Sequence, residues 1–283
     1  LLVRKADAPS ATPAAVAEAL APAEPTELRP GLRYVRVQSI ERALPTIASV
    51  LSSQAVVVDL RFVKATESES LKLAEVLARN PLELALTTTS GESKRVTIAP
   101  AAGPRGNQGM VLVLVNRSTA GPIETILAAL RTSGEVMIVG EKTRGATGHF
   151  ESVPGQPGWE VVEGDYRLPD GPSLLGEGVT PDLPVSVDPV DDESAYRAFD
   201  AGTPVTALLD APIEKTRFDE ALLLRQHDGT NNATERTPIS LPERDAENKD
   251  DEDKPAPPPI DKILQRAVNT VVALQALRLM SDS

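Results

Sequence analysis

The sequence predicts a mixed α/β fold, and three observations carry that prediction. Short, nearly continuous runs of Val, Leu, Ile and Ala at residues 55–60, 110–115 and 136–139 have the composition of strands buried on both faces. Between them, at residues 40–53, 67–78 and 122–130, apolar side chains recur at helical spacing. Their alternation is the βαβ signature of parallel strands joined by crossover helices.

Taken in order, residues 1–30 read as an Ala/Pro-rich linker punctuated by Pro9, Pro13, Pro22, Pro25 and Pro30, with one alanine-rich piece at 13–20 suited to a helical turn or two. The core begins at Gly31, with a strand at 32–37. Residues 82–88 and 94–99 read as a strand pair about a turn at Ser90-Gly91. A loop holding Gly103, Pro104, Gly106 and Gly109 leads into 110–115, the most apolar segment and the expected central strand. Pro122 stands in the first turn of the following helix, where its missing N–H costs little. Residues 159–187 hold short strand-like pieces, and the core is expected to close at 188. Residues 189–259 read as an extension with a helix at 218–225 and a mobile, acidic and Pro-rich linker, since residues 243–254 carry seven acids and three bases. In the last part, 260–283, Asp261 caps a helix predicted over 263–279.

Composition excludes several classes of function. A formal charge of −12 and a pI near 4.8 argue against nucleic acid or an anionic membrane surface as partner. The absence of cysteine removes disulfides and thiolate chemistry, and two histidines, His149 and His227, are too few for a multi-histidine metal centre. No cofactor or metal is therefore expected. No run approaches the roughly 20 apolar residues that span a bilayer. Because the chain begins at Leu1, any signal peptide or anchor would lie upstream.

One set of motifs occurs in an informative order. It comprises Gly31-Leu-Arg-Tyr-Val-Arg-Val37, Val56-Val-Val-Asp59-Leu60-Arg61, Val113-Leu-Val-Asn116, Val139-Gly-Glu-Lys-Thr-Arg-Gly145, Tyr166-Arg-Leu-Pro-Asp-Gly171, and Gly176-Glu-Gly-Val-Thr-Pro181-Asp182. Residues 31–187 thereby resemble the C-terminal processing, or tail-specific, serine/lysine peptidases. The resemblance implies a crotonase-like ββα spiral core with a helical C-terminal extension. It also implies an extracytoplasmic location, periplasmic or secreted, and a PDZ domain, which is expected to be absent or to lie upstream, since residues 1–30 leave no room for it.

In that family a serine attacks the scissile carbonyl, a lysine of depressed pKa takes its proton, a glutamine supports the lysine, and a glycine-rich turn helps form the oxyanion hole. Registered on Glu124, this chain has Gly121 at the serine position and Ala146 at the lysine position, and 146 minus 121 preserves the family's spacing of about 25. Phe150 stands in place of the glutamine, and Phe62-Val-Lys-Ala-Thr-Glu67 replaces the glycine-rich turn. The nearest substitutes are Ser118, Thr119, Lys142 and Thr147. Ser118 and Thr119, the alternative nucleophiles, read more simply as strand-end or helix-capping residues, and Lys142 as a surface lysine. His149 shows no acidic partner in sequence, His227 lies in a polar stretch, Trp159 reads as packing, and Asp182 reads as a turn residue bonded to its own backbone. The expectation is a pseudopeptidase that binds a peptide or protein partner as scaffold or regulator, with self-association a further option. The alternative is an active serine-type endopeptidase using Ser118 or Thr119.

Overall fold

A computed structural model of the chain describes residues 3–5, 24–102, 109–156, 158–209 and 258–281. The apolar runs do form buried parallel strands. β3 (Leu32–Arg36), β4 (Ala55–Asp59), β7 (Met110–Val115), β8 (Met137–Gly140) and β11 (Leu183–Pro184) run parallel, and β2 (Thr26–Arg29) adds antiparallel beside β3, in the order β11-β8-β7-β4-β3-β2. All five residues of β4 are buried, which a strand covered on both faces requires.

Alternation along these strands divides the core into two layers. Val56, Val58, Val111 and Val113 face α1 (Ile40–Val50), α2 (Glu67–Leu77) and α3 (Ile123–Thr132). Ala55, Val57, Leu112 and Leu114 face the other side, where α5 (Lys262–Ser281) lays down Ile263, Leu264, Ala267, Val268 and Val271. Asp261 accepts a 2.9 Å bond from the Leu264 amide and caps that helix, as its position in sequence predicts.

A second, antiparallel sheet lies beside the first. It runs β1 (Val3–Lys5), β10 (Trp159–Arg167), β5 (Leu82–Thr88), β6 (Ser93–Ile98), with β9 (Gly148–Ser152) on β10. β5 and β6 are the strand pair expected about Ser90-Gly91, and Gly91 takes φ +89 at the turn. The architecture is mixed α/β.

Two expectations require correction. The first thirty residues are not linker throughout: β1 and β2 are both sheet strands, and Pro30, read as the end of the linker, forms with Gly31 the turn that folds β2 back on β3, with Gly31 at φ +77. Beyond residue 188 the chain continues as packed structure. α4 (Pro189–Asp200), capped by Asp188, docks through Arg36, whose guanidinium stacks 3.6 Å above the Tyr196 ring and reaches Asp200 at 2.9 Å. A 3₁₀ turn at Val205–Leu208 then meets the start of α5, where the Asp261 amide donates to the Leu208 carbonyl. The helices expected at 13–20 and 218–225, and the acidic run at 243–254, lie outside the described residues.

Candidate functional site

The site forms where β4, β7 and β8 end together at one edge of the parallel sheet. After β7 the chain turns through Asn116. That side chain accepts from the amides of Phe62 (3.1 Å) and Ser118 (3.0 Å) and donates to Asp192 (2.8 Å), joining the β4 and β7 exits to α4. Thr119 is fully buried; its hydroxyl donates to the Leu60 carbonyl at 3.0 Å and accepts from the Asn116 amide at 3.1 Å. Buried and with its proton committed to a main-chain carbonyl, this hydroxyl serves the turn. Ser118, half-buried, offers its amide to the same turn.

Gly121 follows at φ +106, a conformation reserved for glycine. A Cβ added there would lie 2.2 Å from the Ala65 carbonyl oxygen. The cause is the segment that replaces the expected glycine-rich turn. It leaves Arg61 through Phe62, the only described non-glycine residue at positive φ (63°), and runs alongside residue 120. There the Ala65 amide donates to the Ala120 carbonyl and the Ala120 amide to Val63, both at 3.0 Å. Main chain fills the space beside Gly121.

Glu124, on the first turn of α3, is completely buried and accepts four hydrogen bonds. Oε1 takes the amides of Gly121 (3.2 Å) and Ala146 (2.7 Å); Oε2 takes the Thr143 hydroxyl (2.5 Å) and the Gly145 amide (2.6 Å). Four donors compensate the loss of hydration that a buried carboxylate otherwise suffers. The two positions matched to serine and lysine are thus held at one carboxylate, and neither offers a hydroxyl or amine.

The other candidates separate from this point. Phe150 lies on β9, opposite Val162, and its ring stands against Gly148. Thr147 is buried with its hydroxyl on Asp165 at 2.9 Å, and Lys142 makes an exposed pair with Glu177 at 3.2 Å. Trp159 is 42% exposed on β10 rather than packed, and His227 lies outside the described residues. Asp182 does not close its own turn: its carboxylate accepts from the Ile138 amide at 2.8 Å, pinning the segment before β11 to β8.

His149 has the acidic partner that sequence did not show. Its Nδ1 lies 3.2 Å from Glu67, whose other oxygen accepts from the Tyr166 hydroxyl at 2.5 Å. Burial, then the bond to Glu67, raises the Tyr166 phenol well above its ordinary value and keeps it a donor. Glu67 opens α2, behind a Thr66/Glu69 capping box, 82 residues from His149. No local pattern connects residues so far apart.

The largest feature missed in sequence is the setting of Arg61. Its fully buried guanidinium binds Asp59 through Nε (3.0 Å) and Nη2 (2.7 Å), Asp261 through Nη1 (3.0 Å) and Nη2 (2.7 Å), and Asp192 through Nη1 (2.9 Å). Tyr34 adds a 2.8 Å bond to Asp59. One cation therefore faces three buried carboxylates. Burial, helped by the nearby Asp261 charge and opposed by Arg61 and Asn116, holds the Asp192 carboxyl above its ordinary value. The Asp-Leu-Arg motif holds both Arg61 and Asp59, but the other two partners come from the segment read as extension (Asp192) and from the start of the C-terminal helix (Asp261).

Comparison with known proteins places these motifs. The sequence profile of peptidase family S41 matches residues 33–185, just over half of the chain. Over 92 residues the chain is 32% identical to a carboxyl-terminal-processing protease from Picosynechococcus sp., a match covering 32% of this chain and 22% of that protein. Among solved structures, the photosystem II D1 C-terminal processing protease is similar at 23% identity and a TM-score of 0.44, covering 55% of this chain and 42% of the other. A lipoprotein from Streptococcus agalactiae is similar at 16% identity and 0.47, covering 61% and 68%. The relatives are mostly longer than the part that this chain matches. With the profile spanning most of its central sheet and the site at the sheet's edge, the chain belongs to peptidase family S41.

Proposed function

We propose that this protein is a catalytically vacated S41 peptidase that binds a peptide or protein partner without cutting it, as a scaffold or regulator. The observation that carries this reading is at Gly121: a side chain there would meet the Ala65 carbonyl at 2.2 Å. Losing a nucleophile and its base removes several powers of ten in rate. Here the replacement of the turn after Arg61 adds a steric obstacle to that chemical loss. The Ala146 amide, bonded to Glu124, supports the same reading, because alanine offers no base where the family resemblance implies lysine.

Binding without cleavage needs only an accessible strand. β6 and β9 each have a sheet neighbour on one side among the described residues, and an extended peptide added to such an edge gains main-chain hydrogen bonds. An extracytoplasmic location follows from the family resemblance. No helix among the described residues is long and apolar enough to cross a membrane.

The test is incubation with an unfolded polypeptide ending in an apolar C-terminus, together with a fluorophosphonate probe. The reading expects no cleavage, no labelling and saturable binding of the peptide. Cleavage, or labelling at Ser118, would overturn it in favour of an endopeptidase with a displaced nucleophile.

A further inference from the structure

We propose that His149, Glu151 and Glu163 form a binding site for a divalent cation of the zinc class, with Glu67 as the positioning residue that orients the imidazole. The site is independent of whether the protein cleaves peptides.

Strand geometry assembles the donors. His149 and Glu151 stand two residues apart on β9 and so project from the same face. On the neighbouring strand, Val162 pairs with Phe150 and Gly164 with His149, leaving Glu163 as an extra residue at a bulge. A bulge re-aims the side chain it carries. Here it brings the Glu163 carboxylate to His149 and Glu151, with the three donor atoms within 4.8 Å of one another. Donors on a tetrahedral zinc at ~2 Å lie about 3.3 Å apart, so modest rotation of the two exposed glutamates closes the site.

The second observation concerns the imidazole. With Nδ1 at 3.2 Å from Glu67, the neutral ring is set to donate from Nδ1 and to present the lone pair of Nε2. A carboxylate behind a histidine in this way fixes the tautomer and raises the basicity of the free nitrogen, the arrangement common around metal-bound histidines. Glu67 is itself held by Tyr166 and by its place at the start of α2. One nitrogen and two carboxylate oxygens suit zinc or manganese, with water completing the shell. Too few histidines for a multi-histidine centre does not exclude a site that needs one, and a cysteine-free chain has no thiolate to compete.

The experiment is calorimetric titration of Zn²⁺ into the whole chain at neutral pH, with a competing chelator to fix affinity. One equivalent is expected to bind. His149→Ala and Glu163→Gln should each weaken binding by more than about tenfold, and Glu67→Gln by about 10- to 100-fold, with unchanged circular dichroism. His227→Ala should bind as the parent does. Absence of saturable binding, or binding that survives His149→Ala and thus belongs to carboxylates elsewhere in the chain, would overturn the proposal.

Discussion

The backbone amides of Gly121 and Ala146, 25 residues apart, donate to the same oxygen of Glu124. That shared acceptor holds the two positions together through main chain alone. The carboxylate needs only main-chain N–H groups at the two positions, and glycine and alanine supply them as well as any residue.

Gly121→Ser, even combined with Ala146→Lys, should create no peptidase. Its Cβ would collide with main chain at positive φ, and the expected cost is about 2 kcal/mol or more of stability in urea unfolding. A stable double variant that labels with a fluorophosphonate would refute this.

Glu124→Gln should be among the most damaging conservative changes. It replaces an acceptor of four hydrogen bonds by an amide whose NH₂ must face donors, at an expected cost of about 3 kcal/mol. Chemical denaturation measures it, and amide exchange should accelerate first at residues 143–146.

Arg61→Met should destabilise by about 3–5 kcal/mol, because three carboxylates lose the buried cation that they share. Limited proteolysis should show α5 released early, since Asp261 at its start would have no partner in Arg61. Retention of parent stability would show that the cluster can neutralise itself.

Asp192 gives a pH dependence with a definite sign. Its carboxyl is held above the ordinary 3.8 in the folded chain. Between 3.8 and the raised value, the folded chain keeps a proton that the unfolded chain has released. Its contribution therefore grows as pH falls across that window and is lost as pH rises through the folded value. Asp192→Asn removes the titration, so its stability relative to the parent should increase as pH is raised from about 4 to 7, as read by urea unfolding at each pH. Parallel curves would exclude the effect.

How far sequence reading reached depended on whether the physics was local. β4 and β7 were legible because strands buried on both faces are nearly continuous apolar runs, and α2 because its apolar side chains recur at helical spacing. The convergence of residues 121 and 146 was legible by counting between motifs. What escaped was made by distance or by a masking composition. β2 hid between Pro25 and Pro30, and α4 carries several acids that read as solvated chain until Asp192 is seen turned inward to Arg61. The His149–Glu67 pair needed β9 and α2 to be brought together. Asp182 was read by its immediate neighbours, while its acceptor role is toward a strand 44 residues earlier.

The ligands of Arg61 also impose an order on biosynthesis. Asp59 precedes it by two residues, but Asp192 and Asp261 follow by 131 and 200. While the chain is still being made, the arginine can meet its first partner at once and must wait for the last until 200 further residues have been made. Until then the sheet lacks both α5 and the carboxylate at its start. A chain broken off short of that point would carry an open apolar face and an incompletely satisfied guanidinium, the marks by which a cell's proteases recognise an unfinished product.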